Sequence, residues 1–290
     1  MPLTVERYPT PGAFLERAQP MLLRREAENN LILGVVGQLV QRPERQAEPP
    51  YLATVSQRGI VVAAVMRTPP FGVALTQMPP EAIDSVARDI ADAYKWIPGV
   101  LAPRNTAEAF AHAWSRHAAS EAAIRMQQRI YQLHRVTFPT CAPSGTLRQA
   151  REGDIDLLTL WILAFNGDTG AVSHRQPRNQ ATQWIENGAA FLWEDSQPVS
   201  MAAWTGRTPN GVRISGVYTP KEQRRRGYAS VCVAHLSQRM LDEGRAFCFL
   251  FTDLGNPTSN SIYQAIGYEP VCDVSFYEFR AAGSQLKTGG

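Results

Sequence analysis

At 290 residues, with 44% hydrophobic and 19% charged side chains, the chain has the composition of a globular protein with room for two cores, not that of a disordered or fibrous one. A net charge of +3 is too small to indicate general nucleic-acid binding, so basic residues carry meaning only where they cluster. The opening MPLTVERYPTPGAF lacks the apolar run of a signal peptide, no stretch of about 18 apolar residues marks a membrane span, and the four dispersed cysteines form no C-x-x-C pair. A cytoplasmic protein with reduced thiols, no metal site and no membrane partner is expected.

In chain order, FLERAQPMLLRREAENNLILGVVGQLVQ has helical periodicity with a break expected at Pro20. Three strand-like runs follow, YLATVSQ, GIVVAAVMR and GVALTQM, and then an amphipathic helix, PPEAIDSVARDIADAY, opened by prolines. GVLAP reads as a short strand, NTAEAFAHAWSRHA as a helix and IRMQQRIYQLHRV as a long strand. Pro, Ser, Gly and Thr collect in VTFPTCAPSGT, which divides the chain. Beyond it come a strand (TLRQA), a helix (DIDLLTLWILAFN), a helical turn (QATQWIENG) and a hairpin (AAFLWED with QPVSMAAWTG). VRISGVYT, a helix reaching about Glu243, AFCFLFTDL, the helix SNSIYQAI and a last strand VCDVSFYEF complete the order. Strands interrupted by helices, with hairpin-like connections, indicate a mixed α/β sheet in each half. The expected domains are 1–143 and 144–280, with 281–290 as a flexible tail.

The segment TPKEQRRRGYAS, Thr219 to Ser230, lies at a strand-to-helix junction. Ala229, Val233, Leu236 and Met240 recur at three- and four-residue steps, so a helix begins near Gly227. Its first turn offers unpartnered N–H groups and the positive end of the macrodipole, a place suited to a phosphate-sized anion. Gly227 lacks a Cβ and lets a ligand approach the main chain, Ala229 is nearly as small, and arginines stand where a plain cap would carry acids.

Arg224-x-x-Gly227-x-Ala229 resembles the Gln/Arg-x-x-Gly-x-Gly/Ala signature of the GCN5-related N-acetyltransferases, and the preceding VYTP matches the turn that family has there. A second motif resembles the family's other strand-to-helix junction, with Asn256, Ser259, Tyr263, Gly267 and Tyr268 in NPTSNSIYQAIGYEPV. The likeness covers about residues 144–280 and implies two tandem acyl-CoA N-acyltransferase-like domains with the second intact. It implies acetyl-CoA as co-substrate, with its diphosphate on Arg224, Arg225, Arg226, Gly227, Tyr228, Ala229 and Ser230. The pantetheine arm would lie against Val217, Tyr218 and Thr219, with Asn256 and Ser259 nearby. Tyr263 is implied as the acid that protonates the leaving thiolate, and the acceptor as a small-molecule amine or a protein amino group.

Where many relatives carry a glutamate on the strand before the phosphate loop, this chain has Arg213, Ile214, Ser215 and Gly216. Asp253, Glu194 and His174 are base candidates by elimination, and a non-catalytic acyl-CoA-binding module is the alternative. Trp161, Phe165, Trp184, Trp193 and Trp204 are candidate acceptor-site or core residues. The first half has Pro79, Pro80, Glu81 and Asp84 where the second keeps arginines and glycine, so it is not expected to bind the coenzyme. Asn105, Ala107 and His112 faintly echo the Asn256 motif and suggest a degenerate sister domain.

Overall fold

A computed structural model describes residues 3–42, 48–169 and 176–281. The chain forms two compact units: one of residues 1–130, 253–255 and 271–290, the other of 131–252 and 256–270. A cut at 143/144 would keep each strand in the half where it lies in sequence. By contacts, the chain's last strand joins the first unit, and the end of the long strand after the fourth helix joins the second. The expected tail lies outside the described residues from 282 onward.

The first unit opens with β1 (Leu3–Arg7), α1 (Pro11–Leu23) and α2 (Asn30–Gln41). It continues through β2 (Tyr51–Gln57), β3 (Ile60–Arg67), β4 (Val73–Leu75), α3 (Pro80–Ala93), β5 (Gly99–Pro103) and α4 (Arg104–Ala118). The long strand β6 (Ser120–Leu133) follows, and the unit also holds most of β12 (Glu269–Ala281). Strands β1 to β4 are antiparallel neighbours, β4 and β5 are parallel, and β12 pairs antiparallel with β5, Val274 opposite Pro103 and Glu278 opposite Gly99. Both faces are covered, which is why YLATV in β2 is buried throughout instead of alternating. On one face Val65, Val86, Ile90, Phe110 and Trp114 cluster with Phe279 of β12. On the other, Phe14, Ala18 and Leu22 of α1 and Ile32 and Val36 of α2 pack on Leu52, Ala64 and Met66. That α1 stripe explains a departure from expectation: the helix runs through Pro20 to Leu23, because Leu22 continues the buried face one turn beyond the proline.

The second unit contains β7 (Thr146–Gln149), α5 (Ile155–Thr169), α6 (Pro177–Glu186), β8 (Ala190–Asp195) and β9 (Gln197–Thr205). It continues with β10 (Gly211–Tyr218), α7 (Tyr228–Asp242), β11 (Phe247–Asp253) and α8 (Pro257–Ile266). Its strands run β7-β8-β9-β10-β11, antiparallel except for the parallel β10–β11 pair. Within each unit the strand pairing is therefore mixed, parallel and antiparallel. Val212 and Ile214 of β10 point to the face covered by α7 and α8, where they cluster with Val231, Leu236, Met240, Tyr263 and Tyr268. The opposite face is filled from α5 and α6 by Leu158, Trp161, Ile162 and Trp184.

Candidate coenzyme site

The site is built where two parallel strands stop pairing. Gly211, Val212 and Arg213 lie opposite Phe247, Cys248 and Phe249, and the ladder goes no further, although β10 runs on to Tyr218 and β11 to Asp253. Both strands therefore present main-chain groups to a gap, an edge that an extended amide-bearing ligand can complete. Against β9 the register passes from Ser215–Ala203 to Tyr218–Met201, three steps on β10 for two on β9, so a bulge falls at Gly216 and Val217. Gly216 adopts φ +60°, and a Cβ there would stand 2.5 Å from Trp184 Cη2. A glycine within a strand pattern is the sequence mark of such a bulge.

Helix α7 begins one residue after Gly227, whose φ of +82° is open to glycine at little cost. The helical ladder starts with Val231 N–H on the Gly227 carbonyl at 3.1 Å, leaving the amides of Tyr228, Ala229 and Ser230 at the free end. No acid occupies the first turn and no side chain caps it. A Cβ on Gly227 would point at Pro143 Cδ, 3.4 Å away, so the segment between β6 and β7 borders the loop.

The three arginines differ in their engagements. Arg224 donates through Nε to the Thr219 carbonyl at 3.0 Å and through Nη2 to Asp168 at 2.6 Å, tying the end of β10 to the end of α5. Arg226 lies beside Asp195, a carboxylate not foreseen from the sequence. Asp195 accepts from the Tyr228 hydroxyl at 2.6 Å and from Ser144 Oγ at 3.0 Å. These two bonds, followed by the Arg226 charge, hold it below the usual carboxylate range. Tyr228 thus leaves its amide at the free end of α7, while its hydroxyl is committed to Asp195. At the end of β10, the Tyr218 carbonyl accepts from Ser200 Oγ at 3.1 Å, and the Thr219 hydroxyl lies 2.9 Å from the same oxygen.

Across the gap, Asn256 caps α8, its Oδ1 accepting from Ser259 N–H at 3.0 Å. Tyr263 is one helical turn beyond Ser259, packed in the same cluster as Tyr228 with Val217 against its margin. Its ring meets Tyr268 edge-on at 6.0 Å, and its hydroxyl has no hydrogen-bond partner among the described residues. Burial pushes its phenol up to about 12, which keeps it protonated at neutral pH.

The base candidates fare differently. Glu194 is on β8, two strands from β10, and pairs with Arg148, which also holds Asp154 at 2.7 Å. Asp253 ends β11 and accepts from Gly255 N–H at 2.8 Å. His174 lies outside the described residues. Trp161, Trp184 and Phe165 gather on the α5–α6 face, Trp204 packs at the margin of both faces, and Trp193 belongs to the α7 face with its Nε1 on the Ser144 carbonyl at 2.9 Å. Asn260 donates to the Asn256 carbonyl at 2.7 Å.

In the first unit, Pro79 and Pro80 occupy the cap and first position of α3, where neither has an N–H to offer, and Glu81 stands in the first turn. Asp84 is bound by Arg88, Arg116 and His117 at 3.1, 3.2 and 3.1 Å. Asn105, Ala107 and His112 lie on α4. Among the described residues, no group of three or more His, Cys, Asp or Glu is arranged to hold a metal ion, and no helix is long and apolar enough to cross a membrane.

Residues 192–276 match the family described as FR47-like protein. No curated protein matches the sequence. Among solved structures, a Drosophila protein has TM-score 0.68 at 10% identity, covering 96% of this chain and 98% of its own. A GCN5-related N-acetyltransferase from Sphaerobacter thermophilus has TM-score 0.63 at 13% identity over 99% of this chain and 98% of its own. A tandem GNAT protein from the clavulanic acid biosynthesis pathway has TM-score 0.55 at 13% identity, covering 98% and 100%. The whole chain therefore shares the fold of solved GCN5-related and tandem GNAT proteins, and residues 192–276 of its second half match the FR47-like family.

Proposed function

We propose that the second unit is an acetyl-CoA-dependent N-acetyltransferase acting on a primary amine of a small molecule or protein. The observation that carries this reading is the end of β10–β11 pairing at Arg213 and Phe249, beside an α7 N-terminus bare of acids. When bound, acetyl-CoA supplies a thioester as acyl donor. The amides of Tyr228, Ala229 and Ser230, with Gly227 giving close approach, hold the diphosphate, and Arg225 and Arg226 add positive charge. Main-chain groups of Val217 and Thr219 take the amide-bearing arm, with Asn256 and Ser259 at the far side of the gap. An N–H at the bulge stabilises the oxyanion formed as the amine attacks. Tyr263 gives its proton to the departing sulfur, and water relays the amine's proton away from the site.

Calorimetric titration with coenzyme A tests binding, and thiol release from acetyl-CoA across an amine panel tests turnover. Absence of coenzyme binding refutes the proposal. The engagement of Glu194 by Arg148 favours a second reading, an acyl-CoA-binding module without catalysis. Tyr263→Phe separates the two: a transferase loses about a hundredfold in turnover while coenzyme affinity holds, whereas a binding module has no turnover to lose.

A further inference from the structure

Ser200 is a polar residue with no exposed surface in the middle of β9, and nothing in the motifs of the chain points to it. Its single hydroxyl proton goes to the Tyr218 carbonyl, so the Thr219 hydroxyl, 2.9 Å away, must be the donor in the other bond. The result is a short chain, Thr219 hydroxyl to Ser200 hydroxyl to Tyr218 carbonyl.

The consequence follows from the planarity of one peptide. In a trans peptide the carbonyl and the next N–H point in opposite directions. Anchoring the Tyr218 carbonyl toward β9 therefore turns the Thr219 N–H away from β9, toward the side where β10 and β11 no longer pair. The bulge at Gly216 and Val217 has just shifted the strand's register, and the pairing of β10 with β9 ends at Tyr218 opposite Met201. The side-chain bonds of Ser200 fix the orientation at the point where the ladder stops.

We infer that Ser200 is a positioning residue that aims the Thr219 N–H into the β10–β11 gap to meet an amide carbonyl of the acyl donor's pantetheine arm. This rests on the coenzyme reading above, and it separates the arm from the diphosphate. The measurement compares coenzyme A with ADP, which carries a diphosphate without the arm, on wild type and Ser200→Ala. Coenzyme A is expected to bind the variant about five- to tenfold more weakly, the loss of one net hydrogen bond, with ADP binding changed less than about twofold. Equal weakening of both ligands, or unchanged coenzyme affinity with only a lowered melting temperature, overturns the inference. Ser200→Cys, closer in size, replaces the alanine variant if that one does not fold, with the same two outcomes. A wild-type protein that binds no coenzyme A overturns both readings, whereas normal wild-type binding with an unaffected variant overturns this one alone.

Discussion

Replacing Gly216 by alanine tests the bulge on which the site depends. The added methyl would lie 2.5 Å from Trp184 Cη2 and 3.1 Å from Cζ3, and the backbone there sits at φ +60°. Holding a non-glycine residue in the left-handed region costs roughly 1–2 kcal/mol. Forcing a methyl into packed surroundings adds about 1–3 kcal/mol, since Trp184 is buried among α5 and α6 residues and has little room to retreat. The sum, roughly 2–5 kcal/mol, should appear as a lower midpoint in chemical unfolding with an unchanged slope. Repeating the substitution in a Trp184→Leu background removes the collision and leaves only the backbone share, about 1–2 kcal/mol. Gly216→Ala within about 0.5 kcal/mol of wild type, or an equal cost in both backgrounds, would refute the reasoning.

Ser230→Glu places an acid in the first turn of α7. The macrodipole favours it, so thermal stability should hold or rise by up to about 1 kcal/mol, while coenzyme A affinity measured by calorimetry falls at least about tenfold. Because burial raises the Tyr263 phenol to about 12, the acid stays protonated through the accessible range, and turnover should show no falling limb attributable to it between roughly pH 7 and 10. A descending limb near pH 10 that disappears in Tyr263→Phe would contradict this. The Arg148 bonds, and then the Arg151 N–H at 2.8 Å, hold Asp154 below the ordinary carboxylate value of 3.8. A depressed carboxylate stabilises the fold above that ordinary value and loses its contribution as pH falls through the lowered one. Asp154→Asn should therefore cost about 1–2 kcal/mol at pH 7 in chemical unfolding, with the difference from wild type shrinking toward pH 3.

The start of α7, bare of acids, was legible because its signals are local: a small residue, arginines and missing acids all fall within Arg224 to Ser230. Element order was legible for a similar reason, since YLATVSQ or GVLAP can be recognised without knowing its neighbours. Features that depend on distant partners were not. Ser200 looks like any strand serine until Tyr218 and Thr219 are seen across from it. Asp195 gives no sign in sequence that Tyr228 and Ser144 converge on it. Strand β1, LTVER, is too short and polar to declare itself, and it is held by pairing with β2 and by Arg7 on Asp89 at 2.8 Å. Pro20 misled in the other direction, as the packing of Phe14, Ala18 and Leu22 prevails over a local helix breaker. Gly216 was visible as a glycine between strand formers, yet only the register against β9 shows its purpose.

The placement of β12 has a consequence for how the protein is made. The first half is synthesised before the second but lacks the strand that lies beside β5 and carries Phe279 into its core until the second half has also been made. Its nascent form must wait with that edge and apolar pocket unfilled, so the two halves reach maturity as interdependent partners and loss of the last dozen residues of the sheet would injure the beginning of the protein first.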